Sequence, residues 1–145
     1  MSFYRKPTKP TQLLNRFFSR LASLGLTPRD TATLEVRGRH SGKVRSTVVT
    51  WVEQEDQRYL VSPRGETEWV RNVRAAGGEA AIRHGELRRV RLEEVPLEQR
   101  ATIIREYLKK TARATQPHFG VNTNAGLDEF DKIASRHPVF RIRES

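Results

Sequence analysis

The stretch Gly38-Arg39-His40-Ser41-Gly42-Lys43-Val44-Arg45-Ser46-Thr47 has the makings of an anion-binding turn. Two glycines let the backbone turn tightly and leave N–H groups pointing into its concavity, and arginine adds paired donors that match a phosphate or carboxylate. The same residues also suit a plain hairpin with solvated basic side chains, because glycine-rich basic turns are common in basic proteins. A second cluster is Ser62-Pro63-Arg64-Gly65, followed by Trp69 and Asn72. There a strand end feeds a helix N-terminus, a place that also receives anions. Trp69 offers a flat face, and Asn72 on the same side of the helix offers an amide to a heterocycle edge. A core tryptophan and a structural amide are the competing readings. His40, His84, His118 and His137 lack the close spacing of metal-ligand pairs, and no cysteine joins them, so no metal site is expected. No serine or carboxylate catalytic set is visible either. An enzyme built on this chain would borrow its chemistry from an organic cofactor.

Those clusters need strands and helices to hold them. Thr33 to Arg37 alternates, Val44 to Val52 is rich in β-branched residues, and a polar hairpin loop at Glu53 to Gln57 leads to a third strand over Arg58 to Val61. Thr67 can cap a short helix whose apolar side is Trp69, Val70 and Val73 and which Gly77-Gly78 stops. Ala80 to Arg83 and Leu87 to Val95 read as a hairpin turning at His84-Gly85-Glu86. Pro96 opens a helix with Leu97, Ala101, Ile104 and Leu108 on one stripe. Thr115 to Gly126 reads as a loop, Leu127 to Arg136 as a last helix, and Val139 to Ile142 as a closing strand. The sum, about six short strands with helices inserted, is an α+β domain with a mainly antiparallel sheet or barrel.

The N-terminal region is read apart. Residues 1–10 are basic and broken by Pro7 and Pro10, which suits a mobile arm. Thr11 can cap a helix with Leu13, Leu14, Phe17, Phe18, Leu21 and Leu24 at helical spacing, ended by Gly25. That helix packs on a single domain spanning 11–145 or, with Arg16 and Arg20 beside the phenylalanines, makes peripheral contact with an anionic membrane. At 145 residues one domain is the expectation.

Net charge is +10, and the first 45 residues hold ten Lys and Arg against two acids. A field of that sign calls for an anionic partner: nucleic acid, a membrane surface or a polyanionic cofactor. Nucleic acid fits poorly, since no base-stacking signature accompanies the charge. With no cysteine and no apolar run of signal or membrane-spanning length, the cytoplasm is the expected location.

Gly38 to Thr47, then Tyr59-Leu60-Val61-Ser62-Pro63-Arg64-Gly65 and Trp69-Val70-Arg71-Asn72, together resemble the deazaflavin-dependent nitroreductase family in order and spacing. The ending His137-Pro138-Val139-Phe140 is similar to one branch of that family. The resemblance implies a split β-barrel binding coenzyme F420, whose phosphodiester and oligoglutamate tail are anionic; FMN in the same barrel is the alternative. It implies that Arg39, His40, Ser41, Gly42 and Arg45 hold the phosphate and tail, and that Thr47 and Val48 flank the deazaflavin. Ser62, Pro63, Arg64 and Gly65 would line the ring's polar edge, with Trp69 and Asn72 closing the far side. His40 departs from the family's usual lysine or arginine, and Val44, Ser46 and Val48 stand where proline, threonine and proline are frequent. The activity implied is hydride transfer from reduced F420 to an electrophilic alkene, quinone or nitro compound. Of the family's substrate-side aromatics, Tyr107 and Phe119 are the candidates here.

Overall fold

The computed structural model describes residues 30–144, those at 112–116 by backbone alone. The predicted arm at 1–10, the predicted helix from Thr11 and its membrane contact lie outside the described residues. Six strands, β1 (Thr31–Arg37), β2 (Val44–Gln54), β3 (Gln57–Val61), β4 (Glu79–His84), β5 (Glu86–Glu94) and β6 (Val139–Glu144), close into a barrel in the order β1-β2-β3-β6-β5-β4. Every pairing is antiparallel. The predicted hairpins form: Glu55 and Asp56 turn β2 into β3 with φ of 52° and 64°, the paired positive values of a turn whose twist matches its strands. Three helices complete the α+β architecture: α1 (Glu68–Ala75), α2 (Arg100–Phe119) and α3 (Leu127–Ile133).

Strand alternation sorts the apolar residues into two cores. Leu34, Trp51, Leu60, Ile82, Leu92 and Phe140 point into the barrel, where Val70 and Val73 of α1 join them. On the outside, Val52, Val61 and Val139 meet Ile104, Leu108, Phe119, Phe130 and Ile133 from α2 and α3. A fully buried side chain of this size contributes about 1.5–3 kcal/mol, so α1 and α2 are held chiefly by their apolar stripes. Arg74 adds ion pairs to Glu66 and Glu94, which tie α1 to the end of β5.

The stretch from Pro96 differs from expectation. It starts as a 3₁₀ turn at Leu97–Gln99, and the α-helix then runs through Phe119, so the first part of the predicted loop at Thr115 to Gly126 is helical. Thr111 carries the reason. Its backbone leaves helical values (φ −120°, ψ 18°) while its Oγ1 donates to the Tyr107 carbonyl at 2.8 Å, which bends the helix without ending it. Beyond the bend, Phe119 is buried against His137, an anchor that the polar composition around it conceals.

One feature of the register prepares the site. β3 pairs only with Trp51–Gln54 of β2, whereas β1 pairs with Val44–Thr50 on the other side. From Val44 to Thr50, β2 therefore presents an edge that β3 does not cover. The chain leaving β3 swings away through Ser62–Gly65 into α1, and a gap opens between the two.

Candidate functional site

That gap is a cavity of about 880 Å³. One wall is the uncovered edge of β2, with Arg45, Ser46, Thr47, Val48, Val49 and Thr50; the facing wall is Ser62, Pro63, Arg64, Thr67, Glu68, Trp69 and Asn72. Gly38, Arg39, His40 and Ser41 form its mouth beside Val36 and Arg45, and Val61, Tyr107 and Thr111 line its inner end, toward Trp51. Of the cofactor residues that the resemblance implies, all but Gly42 and Gly65 line this one space; of the two substrate-side aromatics, Tyr107 lines it and Phe119 does not. Gly42 and Gly65 shape the loops behind it: Gly42 takes φ +75°, which side chains rarely adopt, and the Gly65 carbonyl accepts the Ser62 hydroxyl at 2.6 Å.

The mouth is built by local bonding. Gly38 N–H donates to Lys43 O at 2.7 Å, Gly42 N–H to Gly38 O at 2.9 Å and Lys43 N–H to Ser41 Oγ at 3.1 Å, while Arg37 donates to Gly42 O at 3.1 Å. The turn thus consumes several of its own donors. Among the described residues none accepts from the N–H of His40 or Ser41, and these two successive donors are the part of the turn left for an anion.

Arg39 does not project freely. Its N–H donates to Asn72 Oδ1 at 3.0 Å, and its Nη1 donates to the same oxygen at 2.8 Å and to Glu68 Oε1 at 2.9 Å. Asn72 is 4% exposed, so both the structural and the functional readings meet in it. Its Oδ1 fastens the basic turn to α1, and its Nδ2 has no acceptor among the described residues. Arg45 and Arg64, by contrast, are exposed, line the cavity and pair with no carboxylate among the described residues. Trp69 does double duty as well, tilting against Phe140 at 5.7 Å between ring centres while lining the cavity.

Behind the Ser62–Gly65 wall sits His137, 3% exposed. Its Nδ1 lies 3.1 Å from Ser62 O, an arrangement that requires the proton on Nδ1, and Ser62 N–H donates to Pro138 O at 2.9 Å. The pair clamps the wall onto the start of β6. Burial lowers the His137 pKa below its ordinary 6.5, with the Ser62 bond opposing the shift. The unfolded chain therefore takes up a proton that the folded one resists, so this group's stabilisation is complete above about pH 6.5 and declines as pH falls below it. His137→Asn keeps a donor near Nδ1 but cannot titrate. Its thermal unfolding should vary less between pH 7 and pH 5 than that of the unchanged protein; equal slopes would show that His137 is not the group responsible.

Glu68, Thr50 and Thr111 escaped sequence reasoning as parts of this lining, whereas Tyr107, a substrate-side candidate from the resemblance, does reach it. Glu68 stands one residue before Trp69, but nothing in the sequence ties it to Arg39, 29 positions away. Among the described residues no cluster of metal-ligating side chains forms, and no helix is long and apolar enough to cross a membrane.

The arrangement has two chemically distinct ends. The mouth offers Arg45, Arg64 and two free N–H groups to an anion, and the interior offers Trp69, Val49 and Val61 to a flat apolar body. An amphipathic cofactor with a planar ring and an anionic tail fits that division. Residues 19–122 match the F420H(2)-dependent quinone reductase family. The chain belongs to this family. It is an oxidoreductase, and its cofactor is coenzyme F420.

Solved structures show the same fold around other members of this barrel class. ChuZ of Campylobacter jejuni superposes with a TM-score of 0.55 at 14% identity, covering 99% of this chain and 56% of its own, so this quinone reductase family member spans little more than half of ChuZ. An F420-H2 dependent reductase, FDR-A, superposes with a TM-score of 0.52 at 19% identity over 79% of this chain and 95% of that one. The conserved hypothetical protein Rv2991 of Mycobacterium tuberculosis gives 0.54 at 18% identity over 87% and 79%. At these identities the likeness is one of fold. No curated protein matches the chain.

Proposed function

We propose that residues 11–145 form a single cofactor domain that reduces a quinone with reduced F420, and that activated alkenes and nitro compounds are accepted at the same place. The observation that carries this reading is the division of one cavity into a cationic mouth and a half-apolar interior. Reduced F420 supplies a hydride from C5 of its ring. The protein's part is to bind, orient and dry. Arg39, Arg45 and the N–H groups of His40 and Ser41 would receive the phosphate and acidic tail, with Gly42 setting the turn that aims them. Thr47 and Val48 would flank the ring from the β2 edge, and Trp69 and the Asn72 amide would close it from α1. Ser62, Pro63, Arg64 and Gly65 would line its polar edge. Holding both reactants in an attack geometry can lower the barrier by roughly 7–11 kcal/mol at best, which removes the need for a resident acid or base.

The inner end at Val61 and Tyr107 is where an acceptor would lie. The Tyr107 hydroxyl has no partner among the described residues, although the ring is buried and packs edge-on against Phe119 at 6.1 Å. Burial raises its pKa well above the usual phenol range, so it keeps its proton and would serve as a hydrogen-bond donor to a quinone oxygen. The proton that completes the two-electron reduction would come from solvent.

A side-by-side fluorescence titration with F420 and FMN tests the cofactor: F420 should bind at micromolar concentration or below, and FMN much more weakly. Equal or tighter FMN binding would overturn the reading. In turnover with a naphthoquinone, Tyr107→Phe should lower kcat/KM about five- to tenfold, the weight of one hydrogen bond, with F420 affinity unchanged. Unaltered turnover would remove Tyr107 from the acceptor end.

A further inference from the structure

Among the described residues that line the cavity, Glu68 is the sole acid. Its carboxylate lies on the Arg39 guanidinium, with Oε1 at 2.9 Å from Nη1 and Oε2 at 3.5 Å from Nη2. A carboxylate in that position has the charge and the acceptor geometry of the ligand expected at the mouth. The question is whether Glu68 positions Arg39 or competes for it.

Burial and bonding decide between the two. Arg39 is already held by Asn72, whose Oδ1 takes both its N–H and its Nη1 from a buried position. The Arg39 side chain is 20% exposed, whereas that of Glu68 is 76% exposed. Removing Glu68 would therefore leave Arg39 in place and return its outward donors to the cavity. An ion pair this exposed is worth little, so an arriving anion can displace it. The Arg39 hydrogen bond lowers the Glu68 pKa, with Arg71 and His40 adding to the effect, and the carboxylate stays charged at neutral pH.

We propose that Glu68 is a built-in competing anion: it occupies Arg39 in the cofactor-free protein, must be displaced when the cofactor's phosphate or tail enters, and so sets how strongly this site favours charged over uncharged ligands. The inference rests on the F420 reading of the same cavity. It makes a prediction that a structural role for Glu68 does not, because the effect follows the ligand's charge. Two ligands separate the possibilities, F420 itself and 5-deazariboflavin, which carries the ring without phosphate or tail.

Fluorescence titration of both ligands with the full-length protein and its Glu68→Gln and Glu68→Lys variants should give a graded result. F420 affinity should rise about two- to fivefold with glutamine and further with lysine, while 5-deazariboflavin affinity stays level across the series. Thermal unfolding of all three proteins should coincide, since the side chain is exposed. Weaker F420 binding in Glu68→Gln would show that Glu68 positions Arg39 and would overturn the proposal, as would a level F420 series or a parallel change for both ligands. Failure of the unchanged protein to bind F420 at all would instead overturn the functional reading on which this one stands.

Discussion

Arg45→Ala should weaken F420 binding tenfold to hundredfold. Arg45 projects from the β2 edge into the cavity mouth and has no carboxylate partner among the described residues, so its donors are available to the ligand. The loss of charge-assisted hydrogen bonds to a phosphate or carboxylate costs about 1.5–3 kcal/mol, which converts to that range of affinity. Arg39→Ala should fall in the same range by a different route, because it also releases one of two bonds that fasten the basic turn to Asn72. The control is Arg143, which pairs with Glu93 on the exposed side of β6, away from the cavity. If Arg143→Ala weakened F420 as much as Arg45→Ala does, the attraction would be the diffuse field of a +10 protein and the mouth would lose its assignment.

The second large effect is on stability. Gly78 follows α1 with φ +89°, and a Cβ there would stand 2.6 Å from the Leu92 carbonyl oxygen of β5. The glycine's own carbonyl accepts Leu92 N–H at 2.8 Å and its N–H reaches Val73 O at 2.9 Å, so neither partner can withdraw without breaking the link between α1 and the barrel. The left-handed backbone alone costs alanine about 1–2 kcal/mol. With the clash, Gly78→Ala should lose about 3 kcal/mol or more and lower Tm by about 10 °C. Gly77→Ala is the comparison: its φ is +66°, but a Cβ meets open space, and it should lose only the conformational part. Similar Tm values for the two variants would show that the contact with Leu92 is not what limits this corner.

The strands were legible because their signals are local. Alternation in Thr33 to Arg37, β-branching in Val44 to Val52 and the turn residues at His84-Gly85-Glu86 act within a few residues, and each became the expected element. The basic turn and the Ser62–Gly65 wall were legible for the same reason, since glycine and proline constrain the backbone wherever they stand. The continuation of α2 to Phe119 was not. A single buried aromatic stabilises that segment across space, and a polar sequence around it carries no sign of the partner it will meet.

By itself, the sequence determined that six strands and their turns would form, that the positive charge would concentrate in the first 45 residues, and that no thiol would take part. Only the tertiary structure decided that β3 lets go of β2 after Trp51, because register is settled by which residues fill the barrel on both sides of the pairing. It decided, too, that Arg39 would spend its donors on Asn72 and Glu68, while Arg45 and Arg64 stay free. Hydrogen bonds between residues 33 positions apart depend on where α1 docks, and docking is set by Val70 and Val73 entering the core, not by the polar residues whose bonds it brings together.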